Sequence, residues 1–361
     1  MKAKFVLFFF IILVFIELIA QSIIFLAGEN KYSIIIKPFS NQLSTVQTNY
    51  KISWDYKNNK MKPGKYLTED GIAYNINSKG FRGGEFNNVK TKKRIISLGG
   101  STTIGLESSD EMTYPAQLEK FLKVKNLNYE VLNMGFGSKS LNYIKSLFFS
   151  EVYEYNPDII IIYSNRNSIM YDGGSIEPLK LNNRFINFSY YLQENIMTYR
   201  IMIKAYKRIL NYNLKSNYLK SPISNNGISE EYLRTGYTNS LIEIIEFCKE
   251  RKIKVYLVKQ AYMFEKNIIN KLDEFKVDEL IELYKKDYFK KKYSLDEETN
   301  FWSVMGTILN KKIDELKFYK NVVVVDPINT LINSKKNFKD YLHLTPVGNG
   351  VLAGEISKKI N

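Results

Sequence analysis

Arg94-Ile95-Ile96-Ser97-Leu98 runs directly into Gly99-Gly100-Ser101, and this junction indicates the architecture of the whole chain. The first five residues are rich in β-branched and apolar side chains, so they predict a short buried strand. The glycine pair lets the backbone turn sharply at the end of that strand. An amphipathic helix is predicted over 115–124, where Leu118, Phe121 and Leu122 share one face. A strand, a tight turn and a helix in succession are the repeating unit of an α/β protein.

The same alternation continues to the end of the chain. Short apolar runs predict further strands at 129–132, 158–163, 253–258 and 322–325. Helical patterns separate or follow these strands, and Pro346 predicts the start of a closing helix. The predicted helices span 141–153, 239–251, 266–292 and 301–317. Five apolar strands separated by helices imply a five-stranded parallel sheet with helices on both faces.

Two segments do not follow this alternation. Residues 171–235 carry aromatic-rich helical patterns and then a polar loop at 221–226, which we interpret as a helical insertion. Residues 28–90 are mixed and polar, and we interpret them as an N-terminal segment preceding the main domain. The predicted organisation is therefore an anchor at 1–27, this segment at 28–90, and an α/β domain at 91–361 that contains the insertion.

The N-terminus predicts a membrane anchor. Residues 5–27 are an almost continuous apolar run, long enough to span a bilayer as a helix, and Lys2 and Lys4 favour a cytoplasmic N-terminus. Glu17 is costly in lipid and indicates a protonated carboxyl or a helix contact. A cleaved signal peptide is the alternative, although its apolar region is usually shorter. With an uncleaved anchor, the protein is a single-pass membrane protein whose remaining residues lie outside the cytoplasmic membrane.

Composition excludes several classes of protein. The net charge of +15 would suit an acidic polysaccharide or anionic lipid, but the lysines are scattered and an extracytoplasmic location argues against nucleic acid. The densest cluster, 285–292, fits a solvated helix face. The single cysteine, Cys248, lies in an apolar helical pattern and predicts a buried thiol. No zinc spacing, P-loop or dinucleotide fingerprint occurs, so we predict neither a metal nor a cofactor.

Polar residues that suit acyl transfer follow the predicted strands. Gly99-Gly100-Ser101 follows the first strand, 135–138 (Gly-Phe-Gly-Ser) the second and 164–167 (Ser-Asn-Arg-Asn) the third. Asp340 and His343, the only histidine, precede the closing helix. Ligands of parallel sheets bind at the carboxyl ends of the strands. Each motif alone is commonly a turn or a helix cap, but together they supply a nucleophile, a base, a carboxylate and oxyanion donors.

The order of these motifs resembles that of the SGNH hydrolases, also called the GDSL esterase/lipase family. Gly99-Gly100-Ser101 resembles the first block of the family, with Ser101 in the place of the nucleophile and Gly100 where many members have Asp. Asp340 and His343 match the last block, Asp-x-x-His, without departure. The resemblance covers roughly residues 66–361, and the segment 77–83 is similar to one that precedes the catalytic domain in membrane-anchored bacterial members.

The two middle blocks match less closely. Residues 165–168 resemble the block Gly-x-Asn-Asp, so Asn167 matches the oxyanion asparagine. Asn165 replaces the glycine of this block and Ser168 its Asp. The glycine of the second block is best matched by Gly137, and a shift of one residue would place the backbone N–H of Ser138 there instead.

The resemblance implies a flavodoxin-like three-layer α/β/α fold and a serine hydrolase mechanism. His343 would deprotonate Ser101, Asp340 would orient His343, and Ser101 would attack an ester carbonyl. The N–H groups of Ser101 and Gly137 and the amide of Asn167 would hold the oxyanion. The expected substrate is an acyl ester, plausibly an O-acetyl group on a cell-envelope or secreted polysaccharide. An O-acyltransferase acting on a glycan and a non-catalytic glycan-binding or assembly protein are the alternatives.

Overall fold

The computed structural model describes residues 54–55, 60–67, 71–172, 229–264 and 266–361. The predicted anchor at 5–27 and most of the predicted insertion at 171–235 lie outside these residues. No helix within the described residues has the length and apolar character needed to cross a membrane. The chain divides into two compact units, one formed by 1–61 with 179–220 and the other by 62–178 with 221–361.

The described part of the first unit is one short antiparallel ladder. It pairs β1 (Trp54–Asp55) with β2 (Lys60–Met61). The second unit holds every residue of the predicted site.

The second unit is built on a five-stranded parallel sheet, which confirms the predicted α/β architecture. The order of its strands is β6-β5-β7-β8-β9. Numbered within this sheet, the order is 2-1-3-4-5, which is that of flavodoxin-like doubly wound folds. Strand β6 extends three residues beyond the predicted 129–132, up to Gly135. The strands are β5 (Lys93–Gly99), β6 (Tyr129–Gly135), β7 (Ile159–Tyr163), β8 (Lys254–Val258) and β9 (Val322–Val325).

Helices connect the strands. The sequence did not predict an antiparallel hairpin before the sheet, formed by β3 (Gly64–Leu67) and β4 (Ala73–Ile76). In chain order, the described helices are α1 (Ser101–Ile104), α2 (Tyr114–Val124), α3 (Leu141–Ser150), α4 (Arg166–Tyr171), α5 (Tyr237–Glu250), α6 (Lys266–Asp273), α7 (Val277–Lys285), α8 (Tyr288–Tyr293), α9 (Glu297–Asp314), α10 (Ile328–Ile332) and α11 (Pro346–Ser357).

The sheet is covered on both faces. Helices α2 and α11 pack against each other, and Leu118 and Leu352 from them join Ile95 and Ile161 of the sheet in one buried cluster. Successive strand residues point to opposite faces, so Ile96 faces the other side. There α3 contacts β5, α5 contacts β8, and α3 and α5 contact each other.

Two helical predictions differ from the structure. The stretch predicted as helical over 266–292 is three helices, because Lys276 is extended before α7 and Asp287 has a φ of +53° before α8. Helix α5 begins before the predicted residue 239, and the predicted loop at 221–226 lies outside the described residues. A π-helical turn over Tyr232–Gly236 leads directly into α5, and the side chains of Tyr232 and Leu233 are buried.

Candidate active site

Ser101 begins helix α1 immediately after strand β5. The turn is tight because no side chain fits at Gly99. A Cβ there would lie 2.1 Å from Thr103 Oγ1 and 2.2 Å from the carbonyl oxygen of Tyr163. The close approach of α1 to the neighbouring strand therefore requires glycine at this position. The result is a serine presented at the carboxyl edge of the sheet.

Ser101, His343 and Asp340 form a continuous chain of hydrogen-bonding groups. His343 Nε2 lies 2.9 Å from Ser101 Oγ, and His343 Nδ1 lies 2.7 Å from Asp340 Oδ2. The second carboxylate oxygen, Oδ1, accepts the backbone N–H groups of Leu342 and His343, each at 2.7 Å. These contacts fix the orientation of the carboxylate, and the carboxylate in turn orients the imidazole.

The turn that carries Asp340 and His343 is tied to the sheet by backbone hydrogen bonds. Lys339 N–H donates to the carbonyl of His343 at 2.8 Å, which closes the turn. Met263 N–H donates to the carbonyl of Tyr341 at 2.8 Å, which attaches the turn to the segment after β8. Ser101 and His343 are far apart in the sequence. They meet because α1 holds Ser101 at the end of β5 and these two hydrogen bonds hold the turn that carries His343.

The electrostatics of this turn favour an ionised carboxylate. Burial alone would raise the pKa of Asp340, but hydrogen bonds from His343 and from two backbone N–H groups outweigh it and lower the pKa to about 2. Asp340 therefore carries its negative charge throughout the neutral range. A fixed negative charge beside Nδ1 stabilises an imidazolium that forms when Nε2 accepts a proton.

Asn167 lies next to the serine turn. Its Nδ2 donates to the carbonyl of Lys139 at 3.2 Å, and it lies 2.9 Å from the point that a Cβ on Gly100 would occupy. Gly100 therefore leaves the space in which this amide approaches the turn. Asn167 comes from the first turn of α4, which follows β7, and Lys139 from the loop after β6, so the carboxyl ends of three adjacent strands meet here.

Several backbone N–H groups at this edge carry no hydrogen bond. Those of Ser101, Gly137 and Ser138 donate to none of the residues that the structure describes. Gly137 has open space around it, and Ser138 has a φ of +58°. Both N–H groups stay candidates for the second oxyanion donor, and no distance places Gly137 against Ser101. The role of Gly137 therefore stays a prediction.

Asn165, which departs from the family pattern, joins a buried polar network. Its Oδ1 accepts the hydroxyl of Tyr262 at 3.1 Å, and its Nδ2 donates to Asn310 Oδ1 at 3.4 Å. Asn310 also exchanges two hydrogen bonds of 2.9 Å with the backbone of Gln260. This network ties the end of β7 to the segment after β8 and to helix α9. Asn165, which stands where the family pattern has glycine, therefore has hydrogen-bond partners for both its amide oxygen and its amide nitrogen.

Ser168, the other departure, connects two loops of the site. Its hydroxyl oxygen accepts the backbone N–H of Leu141, at the start of α3, at 3.0 Å. This serine therefore links helix α4, which carries Asn167, to the start of α3, which follows the loop that carries Gly137.

Arg82 binds the end of helix α1, a contact that the sequence did not predict. Its side chain is almost fully buried, and its Nε pairs with Asp110 Oδ1 at 2.7 Å. The remaining guanidinium nitrogens donate to backbone carbonyls at and just beyond the end of α1, which belong to Ile104, Gly105 and Ser108. The available signal was Gly80-Phe81-Arg82-Gly83-Gly84, an arginine amid glycines that we interpreted only as a loop. An arginine in such a loop can reach several carbonyls that no side chain in the helix itself could satisfy.

No cluster of histidine, cysteine or carboxylate side chains within the described residues could hold a metal ion. Cys248 is buried in α5 as a free thiol, and burial raises its pKa to about 12. That thiol lies away from the serine turn in the sequence and belongs to the helical layer, not to the sheet edge.

The chain is similar to several solved structures. A GDSL-like lipase from Bacteroides thetaiotaomicron is 15% identical, with 75% of this chain and 89% of that chain covered and a TM-score of 0.38. A lipase/acylhydrolase from Enterococcus faecalis is 14% identical over 74% and 95%, with a TM-score of 0.41. An acetyl xylan esterase from Geobacillus stearothermophilus is 12% identical over 76% and 97%, with a TM-score of 0.41. No protein-family model and no curated protein matches the chain.

The sheet thus has the strand order 2-1-3-4-5, and Ser101, His343 and Asp340 at its carboxyl edge have the hydrogen-bonded geometry of a Ser-His-Asp triad.

Proposed function

We propose that the protein is a serine esterase that uses Ser101, His343 and Asp340 as its catalytic triad. The observation that supports this most directly is the continuous hydrogen-bonded chain from Ser101 Oγ through the imidazole to Asp340. A serine, a histidine and a carboxylate connected in this order are the groups required to activate a hydroxyl near neutral pH.

The first half of the reaction acylates the serine. His343 Nε2 takes the proton of Ser101 Oγ while Oγ attacks the carbonyl carbon of the ester, and Asp340 stabilises the imidazolium. The tetrahedral intermediate then collapses, the bond to the alcohol oxygen breaks, and the departing alkoxide takes the proton from His343. In the second half, water gives a proton to His343 and attacks the acyl-enzyme, which releases the carboxylic acid and regenerates Ser101.

The negative charge on the carbonyl oxygen needs donors that are fixed before the reaction begins. We propose the N–H groups of Ser101 and Gly137 and the side-chain amide of Asn167 for this role. The proximity of the Asn167 amide to Gly100 supports its assignment, because the oxyanion forms beside the serine turn. Its hydrogen bond to the carbonyl of Lys139 holds the amide in one orientation.

We propose an O-acetyl group on a cell-envelope or secreted polysaccharide as the substrate class. The basis is the predicted topology, in which residues 5–27 anchor the chain and the α/β domain lies outside the cytoplasmic membrane. An enzyme held there would meet glycan esters rather than cytoplasmic metabolites.

The test is covalent labelling of the full chain, purified in mild detergent, with a fluorophosphonate probe. Mass spectrometry should place the adduct on Ser101, and Ser101→Ala should abolish both the adduct and the hydrolysis of p-nitrophenyl acetate. His343→Ala should slow labelling strongly, because the chain has no second histidine to replace it.

Ser146→Ala is the matched control. This serine lies on the exposed face of α3 and donates its hydroxyl to the carbonyl of Asn142, so its loss should leave the labelling unchanged. Absence of an adduct on Ser101, under conditions that label a control serine hydrolase, would reject the catalytic assignment in favour of a binding protein. Turnover that requires a sugar hydroxyl as acceptor would instead identify an acyltransferase.

A further inference from the structure

Arg166 occupies a distinctive position beside the candidate site. It begins α4, directly before Asn167 in the chain. Its guanidinium carbon lies 4.6 Å from the ring centre of Trp302 and 5.6 Å from that of Tyr341. Trp302 comes from α9, and Tyr341 comes from the turn between Asp340 and His343. The guanidinium is thus held by aromatic faces contributed by two elements of the site.

The charge of Arg166 is not balanced by a carboxylate. It forms no ion pair with any residue that the structure describes, and its buried Nε has no hydrogen-bond acceptor. The carboxylate in the adjacent turn, that of Asp340, is already bonded to His343 and to backbone N–H groups. A charged donor left without an acceptor is costly in a protein interior, so a bound anion would stabilise this position.

Arg82 and Arg94, two arginines that are more deeply buried than Arg166, show how this chain balances such a charge elsewhere. Arg82 pairs with Asp110, and Arg94 pairs with Glu130 at 2.8 Å. Both also donate to backbone carbonyls. Arg166 begins the helix that follows β7 at the carboxyl edge of the sheet, and unlike the other two it pairs with no carboxylate among the described residues.

The surroundings of Arg166 remain open to a ligand. Arg166, Tyr341 and Phe264 are each partly exposed, and the rings of Tyr341 and Phe264 are stacked at 6.3 Å. The rings of Tyr262 and Phe264 are also stacked, at 5.8 Å. Aromatic faces of this kind pack against the apolar face of a sugar ring, while the guanidinium fits a carboxylate through two parallel hydrogen bonds.

We propose that Arg166 binds a carboxylate on the alcohol portion of the ester, so that the preferred substrate is an acyl ester of an acidic sugar. This inference rests on the proposed esterase function and names its substrate class. An acetyl group is too small to carry the anion, so the anion belongs to the sugar. The net charge of +15 also favours the approach of a polyanionic glycan.

The test compares two acetylated methyl glycosides that differ only at C6, a glucuronoside with a carboxylate and a glucoside with a hydroxymethyl group. The wild-type full chain should show a kcat/KM for the glucuronoside that is roughly 10- to 100-fold higher, the range expected for a hydrogen-bonded charged pair. Arg166→Gln should bring this ratio close to one, and Arg166→Lys should retain part of it. A wild-type ratio near one, or a ratio that Arg166→Gln does not change, would overturn the proposal.

Arg234→Gln is the matched control. It removes the same charge from a guanidinium that pairs with Glu230 and Asp278 at the surface, so the ratio should stay at the wild-type value. An equal fall in both variants would show that overall charge, not a site at Arg166, sets the preference, and this too would overturn the proposal.

Binding of both glycosides to Ser101→Ala, measured by calorimetry, separates this inference from the proposed function. Tighter binding of the glucuronoside, lost in Ser101→Ala/Arg166→Gln, would support the anion site even if Ser101 proved not to be a nucleophile. Hydrolysis of p-nitrophenyl acetate without any preference for the anionic sugar would leave the esterase standing and reject the anion site.

Discussion

The two ends of the parallel sheet use buried polar groups in different ways. At the amino ends of the strands, Arg94 is 1% exposed, and its guanidinium donates to Glu130 and to the carbonyls of Asn87 and Tyr155. At the carboxyl ends, the N–H of Ser101 and the Nε of Arg166 have no acceptor among the residues that the structure describes.

This difference distinguishes polar groups that stabilise the fold from polar groups that can still bind a ligand. A buried group whose hydrogen bonds are all formed within the chain stabilises the fold and has no capacity left for a ligand. A group fixed in place with a donor unused keeps that capacity, which is what an oxyanion or an anionic substrate requires. The carboxyl ends of a parallel sheet are where this capacity is expected.

The largest effect should come from Asp340→Asn. The amide cannot stabilise an imidazolium as the carboxylate does and favours the wrong tautomer of His343, so kcat for p-nitrophenyl acetate should fall by roughly 10³- to 10⁴-fold. The free energy of unfolding at neutral pH should change little, because Asp340 is 40% exposed and solvent screens the pair. Steady-state kinetics and chemical denaturation measure the two quantities. An unchanged kcat in Asp340→Asn would show that Asp340 is not part of the triad.

Asn167→Ala should have the next largest effect on activity. Loss of one oxyanion donor is expected to lower kcat by about 10²- to 10³-fold with a smaller change in KM. Asn333→Ala, which removes an exposed amide whose oxygen accepts a hydrogen bond from Lys266, is the control and should leave kcat unchanged. A rise in KM alone would assign Asn167 to substrate binding instead of transition-state stabilisation.

Arg94→Met tests the opposite end of the sheet. It leaves Glu130 and three backbone carbonyls without their donor, so the free energy of unfolding should fall by about 3 kcal/mol. The kcat of the protein that remains folded should not change, since no group at the carboxyl edge is touched. Arg251→Met, at an exposed site on the surface, should alter neither. If folded Arg94→Met had a lower kcat than the wild type, the amino ends of the strands would also affect activity, and the contrast between the two ends would be wrong.

The sequence predicted the groups that belong to local motifs. Ser101 was found from the glycines before it, and Asp340 and His343 from their spacing, since each depends on residues close in the chain. The role of Asn165 was not predictable, because its partners Tyr262 and Asn310 are about 100 and 145 residues away.

Arg82 was missed for the same reason: the carbonyls that it binds become neighbours only after the hairpin β3–β4 has packed beside the sheet. Helix and strand propensities depend on neighbouring residues, so they do not predict hydrogen bonds between residues far apart in the chain. The fold class was predictable because five apolar strands alternating with helices leave few arrangements.

Lys139→Met should give the smallest effect and a characteristic pH dependence. Burial lowers the pKa of Lys139 to about 8, whereas an unfolded lysine titrates near pH 10.4. Between these values the unfolded chain binds the proton and the folded chain does not, so the stability contributed by this residue rises with pH. At pH 7 the variant should be more stable than the wild type by about 1–2 kcal/mol, since the cation–π contact with Tyr143 offsets part of the burial cost.

The difference between variant and wild type should shrink by pH 9.5, measured by thermal unfolding. Lys249→Met removes the same charge from the exposed surface of α5 and should shift the melting temperature equally at both pH values. A Lys139→Met difference that stayed constant with pH would mean that the ammonium is compensated within the fold, as the guanidinium of Arg94 is. The carboxyl end of the sheet would then resemble the amino end more closely than the unused donors of Ser101 and Arg166 indicate.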